Sequence, residues 1–124
     1  MSTSVLAIDD SATIRALVSQ TLEKAGFDVT TAVDGQDGVD VFQTRRFDAV
    51  ITDINMPNMD GFGVITNIRQ SEVNPRVPIL VLTTESGQSL KDRARSAGAT
   101  GWIVKPFDDT ALVDVLRRVT MGAG

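Results

Sequence analysis

Hydrophobic positions along the chain fall into two alternating kinds of segment. Short apolar runs end abruptly at a polar side chain, and stretches with apolar residues three and four apart follow them. The runs at 5–8, 47–53, 79–82 and 102–104 read as buried strands. Unbroken Val/Ile/Leu runs bounded by turn residues suit a sheet that is covered on both faces. Residues 28–33 form a fifth strand, more polar, as an edge strand would be. Ile14, Leu17, Val18, Leu22 and Ala25 recur at helical spacing up to Gly26, the expected C-cap. Val39 and Phe42 mark a short helix after the Asp34-Gly35 turn. Phe62, Val64, Ile65 and Ile68 mark a third, which has faded by Asn74-Pro75. A weakly apolar fourth helix carries Leu90, Ala94 and Ala97 and stops near Gly98. Asp108 is a good N-cap for a fifth, with Leu112, Val115, Leu116 and Val119 on one face.

Strands alternating with helices, with no internal linker or repeat, predict one α/β domain over residues 1–124. Its five-stranded sheet is parallel, with helices on both faces. In such a sheet all strands end on one edge, where ligands of open α/β folds bind. Four of the five strands arrive there with a reactive or charged group: Asp9-Asp10, Asp53, Thr83 and Lys105.

Composition narrows the chemistry. The chain has no cysteine, which excludes disulfides, thiolate nucleophiles and thiolate metal sites, and no histidine, which excludes an imidazole base or ligand. Oxygen donors remain, so the expected metal is a hard cation. A net charge of −4 argues against non-specific nucleic-acid binding. No apolar stretch approaches the roughly 20 residues of a membrane span. Met1-Ser2-Thr3-Ser4 lacks the basic and apolar regions of a signal peptide. A cytoplasmic, monomeric protein without membrane or nucleic-acid partners is expected.

Taken singly, each group at the strand ends has an ordinary reading. Adjacent acids after a strand cap a helix, a strand-end Thr satisfies local backbone, and a lone Lys is solvated. Together they point elsewhere. Asp9, Asp10 and Asp53 on one edge would repel one another unless a cation or Lys105 sat among them. Magnesium, which needs only one or two carboxylates plus waters and a phosphate, would relieve that strain. Asp53 is then the candidate nucleophile, since carboxylates accept phosphoryl groups as aspartyl phosphates. Such transfer asks for positioning and charge neutralisation, from Lys105, from the metal and from the Thr83 hydroxyl. The Lys105-Pro106 bond is open to either isomer.

These residues, with Met56-Pro57, Met59-Asp60-Gly61, Gly98-Ala99 and Lys105-Pro106-Phe107, make the chain resemble a response-regulator receiver domain over almost its whole length. The resemblance implies strand order 2-1-3-4-5, the order of flavodoxin and CheY, which are the standard examples of this topology. It implies that Asp53 takes a phosphoryl group from a histidine of a separate sensor kinase. It also implies that Asp10, Asp53 and the Asn55 backbone carbonyl ligate magnesium, with Asp9 assisting through water. Such a domain is not an enzyme with an external substrate; it catalyses only its own phosphorylation and dephosphorylation.

Thr83-Thr84-Glu85-Ser86, Gly98 to Trp102 and Lys105-Pro106-Phe107 are similar to stand-alone chemotaxis regulators of the CheY type. The implied donor is a CheA-type kinase and the implied target the flagellar motor switch, bound by the face of the fourth helix, fifth strand and fifth helix. No further domain is expected after Gly124, and output is expected from this surface. Trp102 stands where the family usually has a rotating Tyr or Phe, coupled to Thr83; Trp is bulkier and lacks the hydroxyl of Tyr. Asn55 and Glu85 occupy positions that tune access of the hydrolytic water, or are simply solvated turn residues. Lys91, Arg93 and Arg95 are expected beside Trp102, as a solvated face or the rim of a partner surface.

Three other readings compete. A phosphate sink or phosphorelay shuttle would share every site residue. A haloacid-dehalogenase-type, magnesium-dependent phosphohydrolase would carry its nucleophile on the first strand in an Asp-x-Asp motif and would need a cap domain. A flavodoxin-like FMN binder would need a Gly/Ser/Thr-rich loop where Asp9-Asp10 stand.

Overall fold

In the computed structural model, which describes residues 3–121, each apolar run forms a strand and each amphipathic stretch a helix. The outermost residues of the expected 1–124 domain, including Met1 and Ser2 of the leader comparison, lie outside the described residues. In chain order the elements are β1 (Ser4–Ile8), α1 (Ala12–Lys24), β2 (Asp28–Ala32), α2 (Gly35–Phe42), β3 (Ala49–Thr52), α3 (Gly61–Arg69), β4 (Ile79–Thr83), α4 (Gln88–Ala97), β5 (Gly101–Val104) and α5 (Asp109–Met121). The strands form one parallel sheet in the order β2-β1-β3-β4-β5. That is the order the resemblance implies, and the polar strand β2 does lie at an edge.

Alternation along the central strands divides the core in two, because successive side chains of a strand face opposite sides of the sheet. Leu6, Ile8, Val50, Ile79 and Val81 pack with Val39 and Phe42 of α2, Phe62, Val64, Ile65 and Ile68 of α3, and Ala94 of α4. Val5, Ala7, Ile51, Leu80 and Leu82 pack with Val18 and Leu22 of α1 and with Leu112 and Leu116 of α5. Leu17 departs from the expected α1 stripe and is 45% exposed. The buried row follows four-residue steps through Ile14, Val18 and Leu22, which turns Leu17 off the flank.

Strand β3 is shorter than the 47–53 run. Phe47 is buried beneath it, Asp48 accepts the Ser4 N–H at 2.8 Å, and Asp53 lies just past the last paired residue. Helix α1 ends on Ala25 as its cap, one residue before Gly26. Asp108 serves as expected, accepting the Ala111 N–H at 2.9 Å at the start of α5. Among the described residues no helix is long and apolar enough to cross a membrane.

Candidate functional site

Parallel register brings the ends of β1, β3 and β4 level with one another. Ile8 pairs with Thr52, and Thr52 with Val81. The next residues, Asp9 and Asp53, therefore emerge side by side. Each is held by backbone as well as by charge: the Asp53 N–H donates to the Ile8 carbonyl at 3.0 Å and the Asp9 N–H to the Ala32 carbonyl at 3.2 Å. Asp9, Asp10 and Asp53 each offer a carboxylate oxygen, and these oxygens lie within 4.8 Å of one another. Asp9 and Asp53 are buried and Asp10 is exposed.

Lys105 enters from the far side of β4. Its N–H donates to the Thr83 carbonyl at 2.8 Å, which extends the β4–β5 ladder by one residue. Its ammonium reaches Asp9 Oδ2 and Asp53 Oδ2, both at 2.8 Å. The Lys105–Pro106 bond is cis. Burial alone would pull the Lys105 pKa down, but its hydrogen bonds and charge contacts with Asp53 and Asp9 outweigh that and hold it above the ordinary lysine value. Burial pushes the Asp9 carboxyl up; Lys105 and the Ser11 N–H oppose this without cancelling it, and the charge of Asp53 adds to it.

The two buried acids are engaged alike, each with Oδ2 on the Lys105 ammonium and Oδ1 on a backbone N–H. Asp9 Oδ1 accepts the Ser11 N–H at 2.9 Å, so both its oxygens already serve the fold. Asp53 Oδ1 accepts the Ile54 N–H at 2.6 Å. Exposed Asp10 is the carboxylate most open to a cation. One ammonium among three carboxylates leaves an excess of negative charge, and the donors are all hard oxygens. The set fits a small divalent cation such as magnesium.

The loop after β3 is pinned against Asp53. The Gly61 N–H donates to the Ile54 carbonyl at 2.8 Å, and a Cβ at Gly61 would stand 2.3 Å from the Asp53 carbonyl oxygen. Only glycine permits that approach. Asn58, with φ of 69°, donates to Asp34 Oδ2 at 2.7 Å and so ties the same loop to the N-terminus of α2.

The remaining expected residues gather around Glu85. The Asn55 amide donates to Glu85 Oε1 at 3.0 Å, and the Trp102 indole N–H donates to the Glu85 carbonyl at 3.0 Å. Thr83 is fully buried; its hydroxyl accepts the Glu85 N–H at 3.4 Å and makes no donor bond among the described residues. Lys91 and Arg95 line a groove with Trp102, of about 230 Å³. Arg93 does not join them: its guanidinium sits 3.8 Å over the Phe62 ring on the other side of α4. Residues 91 and 95 are one helical step of four apart and share a face, whereas 93 falls between them and opposite.

The sequence reading missed Arg15, whose Nη1 donates to the Asp9 carbonyl at 2.8 Å and steadies the acidic strand end from α1. The only signal was a basic residue in the first turns of a helix that follows two acids.

Residues 5–117 match the family described as the response regulator receiver domain. This chain belongs to that family. The receiver is 36% identical over 116 residues to the chemotaxis protein CheY-3 of Vibrio cholerae, a match covering 93% of this chain and 89% of that one. Its fold superposes on the solved structure of Vibrio cholerae CheY4 with a TM-score of 0.92 at 44% identity, covering 96% of this chain and 99% of that one. It is also similar to the receiver domain of the sensor histidine kinase PA1611 of Pseudomonas aeruginosa, solved with a magnesium ion coordinated in the active-site cleft. That match has a TM-score of 0.90 at 28% identity, covering 98% of this chain and 99% of that one. The chain is a receiver of the CheY type, working in two-component signalling.

Proposed function

We propose that Asp53 accepts a phosphoryl group from a phosphohistidine of a CheA-type sensor kinase, and that the receiver then binds the flagellar motor switch. The observation that carries this is the double ion pair of Lys105 with Asp9 and Asp53, each at 2.8 Å, beside the exposed carboxylate of Asp10. An Asp53 carboxylate oxygen attacks phosphorus in line. The new O–P bond forms as the N–P bond to the donor imidazole breaks, and the imidazole nitrogen leaves with the bonding pair and takes a proton from solvent. Lys105 turns from the carboxylates to a phosphoryl oxygen, and the unused Thr83 hydroxyl proton meets another.

Asp10, Asp53 and the Asn55 carbonyl would hold magnesium, with Asp9 linked through water. When bound, magnesium would supply positive charge to offset the carboxylates and the incoming phosphoryl group. The PA1611 receiver supports this choice of metal. Water attack on phosphorus later returns the free carboxylate and inorganic phosphate, and the Asn55–Glu85 bond screens that approach. No external substrate is turned over, so the protein is a switch and not an enzyme.

Output follows from the groove beside Trp102. Its Lys91 and Arg95 make no ion pair among the described residues, and they suit an acidic segment of the target. The test uses the lone tryptophan. Magnesium, and then acetyl phosphate, should change Trp102 fluorescence, and Asp53→Asn should abolish the second change. An unaltered acetyl-phosphate response in the Asn variant would remove Asp53 from its role. Capture of a motor-switch protein only with beryllofluoride would mark a motor regulator; capture of histidine phosphotransfer proteins alone would mark a phosphate sink.

A further inference from the structure

Helix α4 is attached unevenly. At its C-terminal end Arg69, from the last turn of α3, donates through Nε and Nη2 to the Gly98 carbonyl at 3.0 and 2.7 Å, and through Nη1 to the carbonyls of Pro75 and Val77 at 2.9 and 2.6 Å. Gly98 adopts φ of 116°, and a Cβ there would lie 2.8 Å from Arg69 Nε, so the cap and the clamp require one another. Thr100 closes the same end by exchanging two hydrogen bonds with Ile79, at 2.7 and 3.0 Å. The opposite end has no such clamp, and the segment leading into it is held at Glu85 by the Asn55 amide and the Trp102 indole N–H, at 3.0 Å each. Gly87 caps α4 without a side-chain hydrogen bond and has open space beside it. That uncapped end is joined by residues 84–86 to Thr83 at the acidic site. Midway along, the Arg93 guanidinium lies 3.8 Å over the buried Phe62 ring of α3.

We propose that Arg93 and Phe62 form a clip that holds α4 in its resting position, and that Arg69 makes Gly98 the fixed pivot about which the uncapped end of α4 swings when the receiver is activated. Phe62 follows Gly61, the residue packed on the Asp53 carbonyl, so the clip joins the output helix to the element seated against the acceptor. The clip belongs to the arrangement in which Lys105 is still paired with Asp9 and Asp53. Releasing it should favour the activated arrangement without touching any group that binds metal or phosphoryl. Arg93 and Arg69 are positioning residues in this scheme.

The inference rests on the reading of Asp53 as acceptor, and the experiment separates the two. Trp102 fluorescence is followed against beryllofluoride at saturating magnesium in the parent and in Arg93→Ala, Arg93→Lys and Phe62→Leu, with urea unfolding confirming that each variant is folded. No response in the parent would count against the acceptor reading. Given a parental response, Arg93→Ala should move the midpoint to about two- to fivefold lower beryllofluoride, the change expected for loss of one exposed cation–π contact. Magnesium affinity should be unchanged, and Arg93→Lys should fall between. Phe62→Leu combined with Arg93→Ala should add nothing to either alone. A midpoint equal to or above the parent's in Arg93→Ala would overturn the clip. Hydrogen exchange on the parent tests the pivot independently of any variant. With beryllofluoride, protection should change in the first turns of α4 and persist at the amides of Gly98, Ala99 and Thr100. Loss of protection at those three amides would overturn the pivot.

Discussion

At the scale of single residues, Lys105 decides the state of the site. Among the described residues it is the one cation bonded to two buried carboxylates, and removing one partner of a buried ion pair leaves charge stranded. Lys105→Met should therefore lower stability by up to about 3 kcal/mol in metal-free urea unfolding, within the range for broken buried pairs. Magnesium should restore much of the loss, because it replaces the missing positive charge. Equal stability of parent and variant without metal would contradict the ion-pair geometry. Asp9, Asp53 and Lys105 were legible in the sequence because each sits at the polar end of an apolar run, and topology does the rest. Glu85 was legible as a position but not as a hub. Its bonds to Asn55 and Trp102 span 30 and 17 residues, and no local periodicity encodes contacts at such separations.

At the scale of elements, the loop between β3 and α3 carries the environment of Asp53, the proposed acceptor. Gly61→Ala would drive a Cβ into the Asp53 carbonyl and the Ile54 backbone, so a loss of about 1–3 kcal/mol is expected, the usual cost of overpacking. Phosphorylation by acetyl phosphate should slow in parallel. A variant of parental stability and rate would show that the loop gives way freely.

The tie from Asp34 to this loop has a pH signature. Hydrogen bonds from the Asp37 N–H first, and then the Asn58 amide, hold the Asp34 pKa below the ordinary carboxylate value of 3.8. A depressed folded pKa gives stability that is present above the unfolded pKa and is lost as pH falls through the folded one. Between about pH 5 and more acid conditions the melting temperature of Asp34→Asn should thus fall less than that of the parent. An identical fall in both would remove Asp34 from the acid response. The stop of helix α4 near Gly98 was legible, yet its faces were not. Three basic residues at alternate positions look like one patch in sequence, and 3.6-residue periodicity sends the middle one to Phe62.

At the scale of the whole molecule, both core layers and the site edge follow from alternation of strands and helices together with parallel register. Strand order came from family resemblance, since several doubly wound orders suit the same alternation. Bound metal should be felt globally. On the proposed reading the folded acidic cluster binds magnesium and the dispersed chain does not, so magnesium at 100 times its Kd should add about 2.7 kcal/mol and raise the melting temperature. Calorimetry with and without the metal checks this, and no shift would argue against a metal site at Asp9, Asp10 and Asp53.

The most direct test of the account is intact-mass spectrometry after incubation with magnesium and acetyl phosphate. The expected result is a single phosphoryl adduct that hydroxylamine removes, as it does an acyl phosphate, and that is absent in Asp53→Asn. An adduct of equal yield in the Asn variant, or one that resists hydroxylamine, would contradict it.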